Sequence, residues 1–280
     1  MADVYWVGGS GNWSDNTNHW SATTGGPPGA AKPVTGDNAI LDTLSNATGY
    51  TITFDEATAV LTNLTMGAPA SGVLTKAGTG AINLTGNFSL ATGSVWGALN
   101  NFVFSGTTGG TIDANGIQLA GFNTTITFSP ASAASWQFLS GWNTPNGTFT
   151  VNSPASIDTN GQTITAGLFS IAGAAGSRSI LFGASTINAD NFGILPTGTL
   201  ASFTFDPGTS TLVTTDSQST GSTPLSLATG LSLYNVTVGT PLALATDITL
   251  TGTFTATGSD ADDNRKLVLC SPTGTPRTLT

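Results

Sequence analysis

The chain has 280 residues and 39% hydrophobic side chains, enough for a sizeable core, but only 8% charged ones, against a usual share near ~25%. Its net charge is −9 and its lysines and arginines number six in all. That is too few to follow a phosphate backbone or to hold an anionic membrane, so no nucleic-acid partner and no membrane insertion are expected. One histidine and one cysteine exclude a multi-histidine metal centre and an internal disulfide framework.

Glu56 is the only glutamate, and the long charged residues that solvate helix surfaces are nearly missing, so helix propensity is low throughout. Ile, Val, Thr and Phe recur in short alternating strings, which predicts an all-β chain. Disorder is not expected, because disordered chains are rich in charge and poor in β-branched and aromatic residues. The N-terminus has neither the basic region nor the apolar run of a signal peptide, since the first lysine is Lys32. Synthesis in a cytoplasm is therefore the expectation. No run approaches the ~20 apolar residues of a membrane-spanning helix.

Residues 1–45 read as a Trp/Gly-rich cap or docking segment. Trp6, Trp13 and Trp20 recur every seven residues, but Gly8, Gly9, Ser10, Gly11 and Asn12 forbid a stable helix between them. The three indoles are expected to pack as plugs closing the end of the body behind them. His19, between Asn18 and Trp20, reads as a polar cap residue.

Residues 46–280 read as the body. Tyr50-Thr51-Ile52-Thr53-Phe54 alternates with period two, as do Ala81-Ile82-Asn83-Leu84, Thr125-Ile126-Thr127-Phe128, Thr148-Phe149-Thr150-Val151 and Ser179-Ile180-Leu181-Phe182. Some strings return. Ile112-Asp113-Ala114-Asn115-Gly116 recurs as Ile157-Asp158-Thr159-Asn160-Gly161 after 45 residues, and Asn63-Leu64-Thr65 as Asn83-Leu84-Thr85 after 20. Ile82-x-Leu84-Thr85-Gly86-x-Phe88 recurs as Ile248-x-Leu250-Thr251-Gly252-x-Phe254. Periods near 20 and near twice 22 suit one turn of a β-solenoid (parallel β-helix). Stacked Asn and Thr would form side-chain ladders. The Asn-Gly pairs 115–116, 146–147 and 160–161 would supply positive φ at corners. A β-sandwich, with strands every 8–12 residues, is the alternative.

Chemistry is thinly represented. Asp113 and Asp158 share a place in the repeat and could form a glycosidase-like carboxylate pair; as Asp-x-Asn-Gly they read better as Asx corners. Asp260, Asp262 and Asn264 match the first half of a calcium loop, but Arg265 stands where glycine is required and no glutamate follows at the twelfth position. A solvated loop is expected there. Trp142, in Gly141-Trp142-Asn143, reads as an exposed turn residue and, with Trp96, as a glycan-stacking candidate; Trp136 alternates with Phe138 and is expected to point inward. Cys270, in the short apolar string Leu267-Val268-Leu269-Cys270, reads as an inert buried thiol. No catalytic residue, metal or cofactor is assigned.

Gly9-Ser10-Gly11-Asn12-Trp13-Ser14, Trp20-Ser21, Pro33 and Gly36-Asp37-x-Ala39 resemble the opening of long repetitive β-rich proteins of tailed bacteriophages and prophages, and of autotransporter-type adhesins. Asn264-Arg265-x-x-Val268-x-x-Ser271-x-x-Gly274-Thr275-x-Arg277-Thr278-Leu279-Thr280 resembles a segment that follows the repeats in the phage proteins. The resemblance implies a non-enzymatic structural component of a virion: a tail fibre, tailspike or surface decoration presenting a β-helical scaffold for assembly or host attachment. It implies a homo-oligomer such as a trimer, contacts with other virion proteins and a host-surface glycan, and a chain continuing beyond Thr280. The alternatives are a secreted bacterial β-helical adhesin and a polysaccharide depolymerase on the same scaffold.

Overall fold

The computed structural model describes residues 1–69, 71, 73–92, 94–96, 101–115, 124–152, 154–174, 176–214, 223–238 and 242–256. It is 51% strand and 1% helix, and its sheets are parallel and coil into a β-solenoid. The antiparallel β-sandwich is thereby set aside, because a sandwich pairs neighbouring strands by hairpins, whereas here strands pair one coil apart.

Three faces build the coil. The first is a ten-stranded sheet. It stacks Asp3–Trp6, Asn38–Leu41, Asn63–Met66, Phe88–Leu90, Gly109–Asp113, Ala134–Phe138, Ala155–Asp158, Arg178–Leu181 and Phe203–Asp206 in parallel. The second begins with Gly11–Asn12, Tyr50–Thr53, Leu74–Ala77 and Ser94–Trp96. The third begins with Thr58–Leu61, Ala81–Leu84, Phe102–Phe104 and Ile126–Phe128. From Trp142–Val151 onward the second and third faces share long bent strands, Thr163–Ile171 and Thr186–Ile194 being the next two. After Thr186–Ile194 the stack forks: Thr211–Thr214 pairs its first half and Thr223–Leu227 its second.

Alternation explains the core. In Ala81–Leu84 the burial pattern is half-buried, buried, half-buried, buried, as period two requires. The inward residues of successive coils then fall on one another. Phe149, Phe169 and Phe192 are in register and stack face to face, with centroids 4.7 Å and 5.3 Å apart. Such contacts add about 0.5–1.5 kcal/mol each beyond area burial.

The repeats in the sequence do not all become register. Leu64 lies on the first face and Leu84 on the third, so the members of that 20-residue repeat do not stack on one another. Ile112 stands opposite Phe138, and Trp136 opposite Ile157, so the 45-residue repeat is displaced by two residues. Coil length varies, from 17 residues between the partners Ser232 and Thr249 to 41 between Gly11 and Ile52. Corner loops of unequal length absorb the difference.

An amide ladder does run up one corner of the first face. The Asn38 side-chain amide donates to Asp3 Oδ1 at 2.6 Å and that of Asn63 to Asn38 Oδ1 at 2.7 Å. The backbone N–H of Asn87 donates to Asn63 Oδ1 at 2.6 Å and that of Thr111 to Asn87 Oδ1 at 2.8 Å. Asn115 and Asn160 take φ of 49° and 51°, the corner role expected of them. Asn146-Gly147 departs from it. The pair lies inside Trp142–Val151, where the pairing register shifts, and neither residue has positive φ; it makes the bend joining two faces.

The N-terminal segment is continuous with the body. Trp20–Ser21 pairs antiparallel with Asp3–Trp6, Trp6 opposite Trp20, which ends the first face with a strand of opposite direction. Trp6, Trp13 and Trp20 are buried. Trp20 meets Trp6 and Trp13 edge-on at 5.1 Å and 4.7 Å, and Trp13 stacks on Phe54 at 4.4 Å. His19 lies flat on Trp6 at 4.7 Å, with Nδ1 3.0 Å from the Val7 carbonyl. Gly11 is obligatory beneath it, since a Cβ there would lie 1.9 Å from His19 Nε2.

Candidate functional site

Several acidic side chains sit at corners and hold turns. Asp113 Oδ1 accepts the Asn115 N–H at 3.1 Å, and Asp158 Oδ1 accepts the Asn160 N–H at 2.8 Å. Asp158 also accepts the Gln137 amide at 2.9 Å. Asp206 caps Gly208 in the same way at 2.8 Å. Asp15 accepts from Thr17 and Asn18, and these bonds, led by the Asn18 side chain, hold its carboxyl below the usual range. Asp55 takes the Ser14 N–H and hydroxyl, which lower its pKa although partial burial pushes the other way. Asp113 and Asp158 are thus both Asx corners. Among the described residues no cluster of three or more His, Cys, Asp or Glu converges.

Trp142 corrects a sequence-based expectation. It is 1% exposed, opens the Trp142–Val151 strand opposite Ile164, and lies edge-on to Phe102 at 5.5 Å. No sugar can stack on it. The preceding glycine suggested a turn, but the strand begins at once and its first side chain falls inward. Trp136 is fully buried, as expected from its alternation with Phe138. Trp96 ends the Ser94–Trp96 strand opposite Lys76, and its side chain lies outside the described residues. So do Asp260, Asp262, Asn264, Cys270 and the C-terminal segment that carries the phage resemblance.

Two buried cations were not legible in the sequence as core residues. Arg178 is 3% exposed. It follows Ala155 in register on the first face and packs over the Phe203 ring at 5.2 Å. Nη2 donates to the Ala172 carbonyl at 2.8 Å. Burial lowers its pKa, and Nη1 also donates, at 3.5 Å, to the Val151 carbonyl, which accepts the Ala172 N–H as well. Lys76 is fully buried between faces, with Nζ donating to the Gly78 carbonyl at 2.6 Å and lying 5.2 Å from the centroid of Phe54.

Burial pulls the Lys76 pKa from 10.5 to about 7, although the Gly78 carbonyl and the Phe54 ring both favour the ammonium. Between those two values the unfolded chain binds the proton and the folded chain does not. Stability therefore rises with pH across that window, and the cost of the buried charge is fully present below it. Lys76→Met is expected to flatten this rise and to stabilise the protein at pH 6 by about 1–4 kcal/mol. Urea unfolding of both proteins at pH 6 and pH 9 checks it; an unchanged slope would show that Lys76 stays charged inside.

The concavity at the N-terminal end is a groove of about 200 Å³ lined by Lys32, Pro33, Val34, Thr35, Glu56, Thr58, Ala59 and Val60. A Lys32–Glu56 ion pair spans it, each side chain about a quarter exposed. Val34 beside it is 53% exposed.

No helix among the described residues is long and apolar enough to cross a membrane. No protein family, no curated protein and no solved structure matches the chain.

Proposed function

We propose that the chain is a non-enzymatic structural component of a bacteriophage virion, a stiff β-solenoid module of a tail fibre, spike or surface decoration. Its mechanism is geometric. A coil whose strands lie about 4.8 Å apart holds its corner loops at fixed intervals, and several copies on one particle provide avidity for a repetitive host surface. A homotrimeric assembly, other virion proteins and a host-surface glycan are the partners this reading implies. The protein would be made in the host cytoplasm and carried outside on the particle.

The observation that carries the reading is how the coil spends its carboxylates. Asp15, Asp55, Asp113, Asp158 and Asp206 accept turn N–H groups, and Glu56 pairs with Lys32. Those bonds favour a scaffold over a polysaccharide depolymerase, which needs two carboxyls facing one substrate. The opening Trp motif resembles phage proteins and autotransporter-type adhesins alike; the resemblance of residues 264–280 to a segment that follows the repeats in the phage proteins supports the virion setting.

Immunogold labelling of particles released by the source culture tests it. Label on fibres, tail tips or capsids is expected. Label confined to cell envelopes would overturn the virion reading in favour of a bacterial adhesin.

A further inference from the structure

The chain holds three Asn-Gly junctions, at 115–116, 146–147 and 160–161. Such a junction can rearrange by itself. The glycine nitrogen attacks the asparagine side-chain carbonyl, and glycine has no Cβ to hinder the approach. The fold treats the three asparagines unequally.

Asn115 and Asn160 are tied down. Each takes a left-handed backbone, with φ of 49° and 51°. The Asn115 side-chain amide donates to the Leu90 carbonyl at 2.6 Å, and that of Asn160 to the Phe138 carbonyl at 3.0 Å, on the preceding coil in both cases. Their own N–H groups are held by Asp113 and Asp158. Ring closure at either residue must break the amide bond and swing the side chain away from the neighbouring coil, leaving a carbonyl there without its donor.

Asn146 has no such tether. It is exposed within Trp142–Val151, and no hydrogen bond from a described residue holds its side chain. Strand pairing lapses around it. Between the partners Thr144–Ala166 and Thr148–Leu168 lie Pro145, Asn146 and Gly147 on one strand, and Gly167 alone on the other. Backbone outside a regular ladder opens locally at low cost. Gly147 in turn is required by packing, because a Cβ there would lie 2.1 Å from the Thr124 carbonyl. The bend that joins two faces therefore demands the residue that makes ring closure easiest.

We infer that Asn146 is a site of spontaneous conversion to aspartate and isoaspartate in the folded protein. The Gly147 nitrogen bonds to Asn146 Cγ, and the Nδ2 group leaves as ammonia with the proton of the Gly147 N–H. The product is a five-membered succinimide, which water opens. Breaking its N–Cγ bond gives aspartate. Breaking the bond to the main-chain carbonyl carbon gives isoaspartate, with the backbone routed through the side chain. Either product adds a negative charge on the outside of the bend. Isoaspartate also adds a methylene to the backbone, at a place where the strand already carries residues that its neighbour does not match. The inference rests on the coil geometry and not on the virion reading.

Ageing of the full chain at pH 7.4 and 37 °C tests it, in buffer and in urea that unfolds it. Peptides carrying the three asparagines are followed by mass spectrometry, and isoaspartate by enzymatic methyl transfer to its free carboxylate. In buffer Asn146 is expected to convert at least about tenfold faster than Asn115 and Asn160, with isoaspartate among the products. In urea the three rates should converge, since the protection of the other two lies in the fold. Conversion of Asn115 or Asn160 in buffer as fast as that of Asn146 would overturn the inference. Aspartate at 146 without isoaspartate would show direct hydrolysis of the amide and overturn it equally.

Discussion

Trp20→Ala is expected to lower the unfolding free energy by about 3–5 kcal/mol and to open the N-terminal end of the coil first. Trp20 is fully buried and joins the cap at several points. Its ring meets those of Trp6 and Trp13, and its indole N–H donates to the Trp13 carbonyl at 2.8 Å. Its own carbonyl accepts the N–H groups of Gly29 and Ala30, both at 2.9 Å, which folds the following loop back over the cap. Its strand is the antiparallel terminator of the first face. Truncation leaves a large void in a place that collapses poorly, because Trp6 is held flat against His19 and Trp13 against Phe54. Exposed strand edges template association, so the variant should also self-associate more readily. Trp20→Phe separates the two causes. It keeps an aromatic ring and forfeits the N–H bond, a loss of about 1–3 kcal/mol for an orphaned buried carbonyl plus a smaller void. Urea unfolding with site-resolved amide exchange reads both quantities; unchanged protection of residues 3–6 in Trp20→Ala would refute the capping role.

Phe169→Ala is expected to cost about as much, about 3–5 kcal/mol, but in the middle of the coil. Phe169 is 1% exposed and lies between Phe149 and Phe192, with Phe182 edge-on at 5.8 Å. In a solenoid each coil touches only its neighbours, so stability is close to a sum of coil and interface contributions. Removing the central ring weakens two interfaces at once and uncouples the sections on either side. Besides the loss in midpoint, a broader or two-step urea transition is expected, with the Trp-capped section melting last. Phe169→Leu retains most of the volume and should cost less than about 1.5 kcal/mol. A single sharp transition in Phe169→Ala would show that the coils are coupled by the backbone ladder more than by the aromatic stack.

The two predictions draw on features of different legibility. The inward phase of Phe169 follows from Thr163–Ile171 itself, whose alternation is interrupted once, at the bend near Leu168. The packing of Trp6, Trp13 and Trp20 at one end could be anticipated because the glycines between them rule out a helix, leaving a compact loop in which three indoles must find cover. The corner role of Asp113 and Asp158 was likewise written in Asp-x-Asn, where the side chain and the following N–H are covalently close.

Other residues were opaque for a common reason. Trp142 follows a glycine and precedes an asparagine, as an exposed turn residue does, and only the pairing with Ile164 turns it inward. Lys76 stands in Leu74–Ala77 at an inward position, but no local rule says that a lysine there stays inside rather than reversing the phase of its strand. Arg178 is buried because Ala155, one coil below in register, leaves room for it.

By itself the sequence determined the all-β class, the period of two, the turn chemistry and the capped beginning, since each rests on neighbours a few residues apart. The tertiary structure alone decided the register between coils and the burial of Lys76, Arg178 and Trp142. These depend on corner loops whose lengths vary from coil to coil, and on which side chains those loops bring one above another.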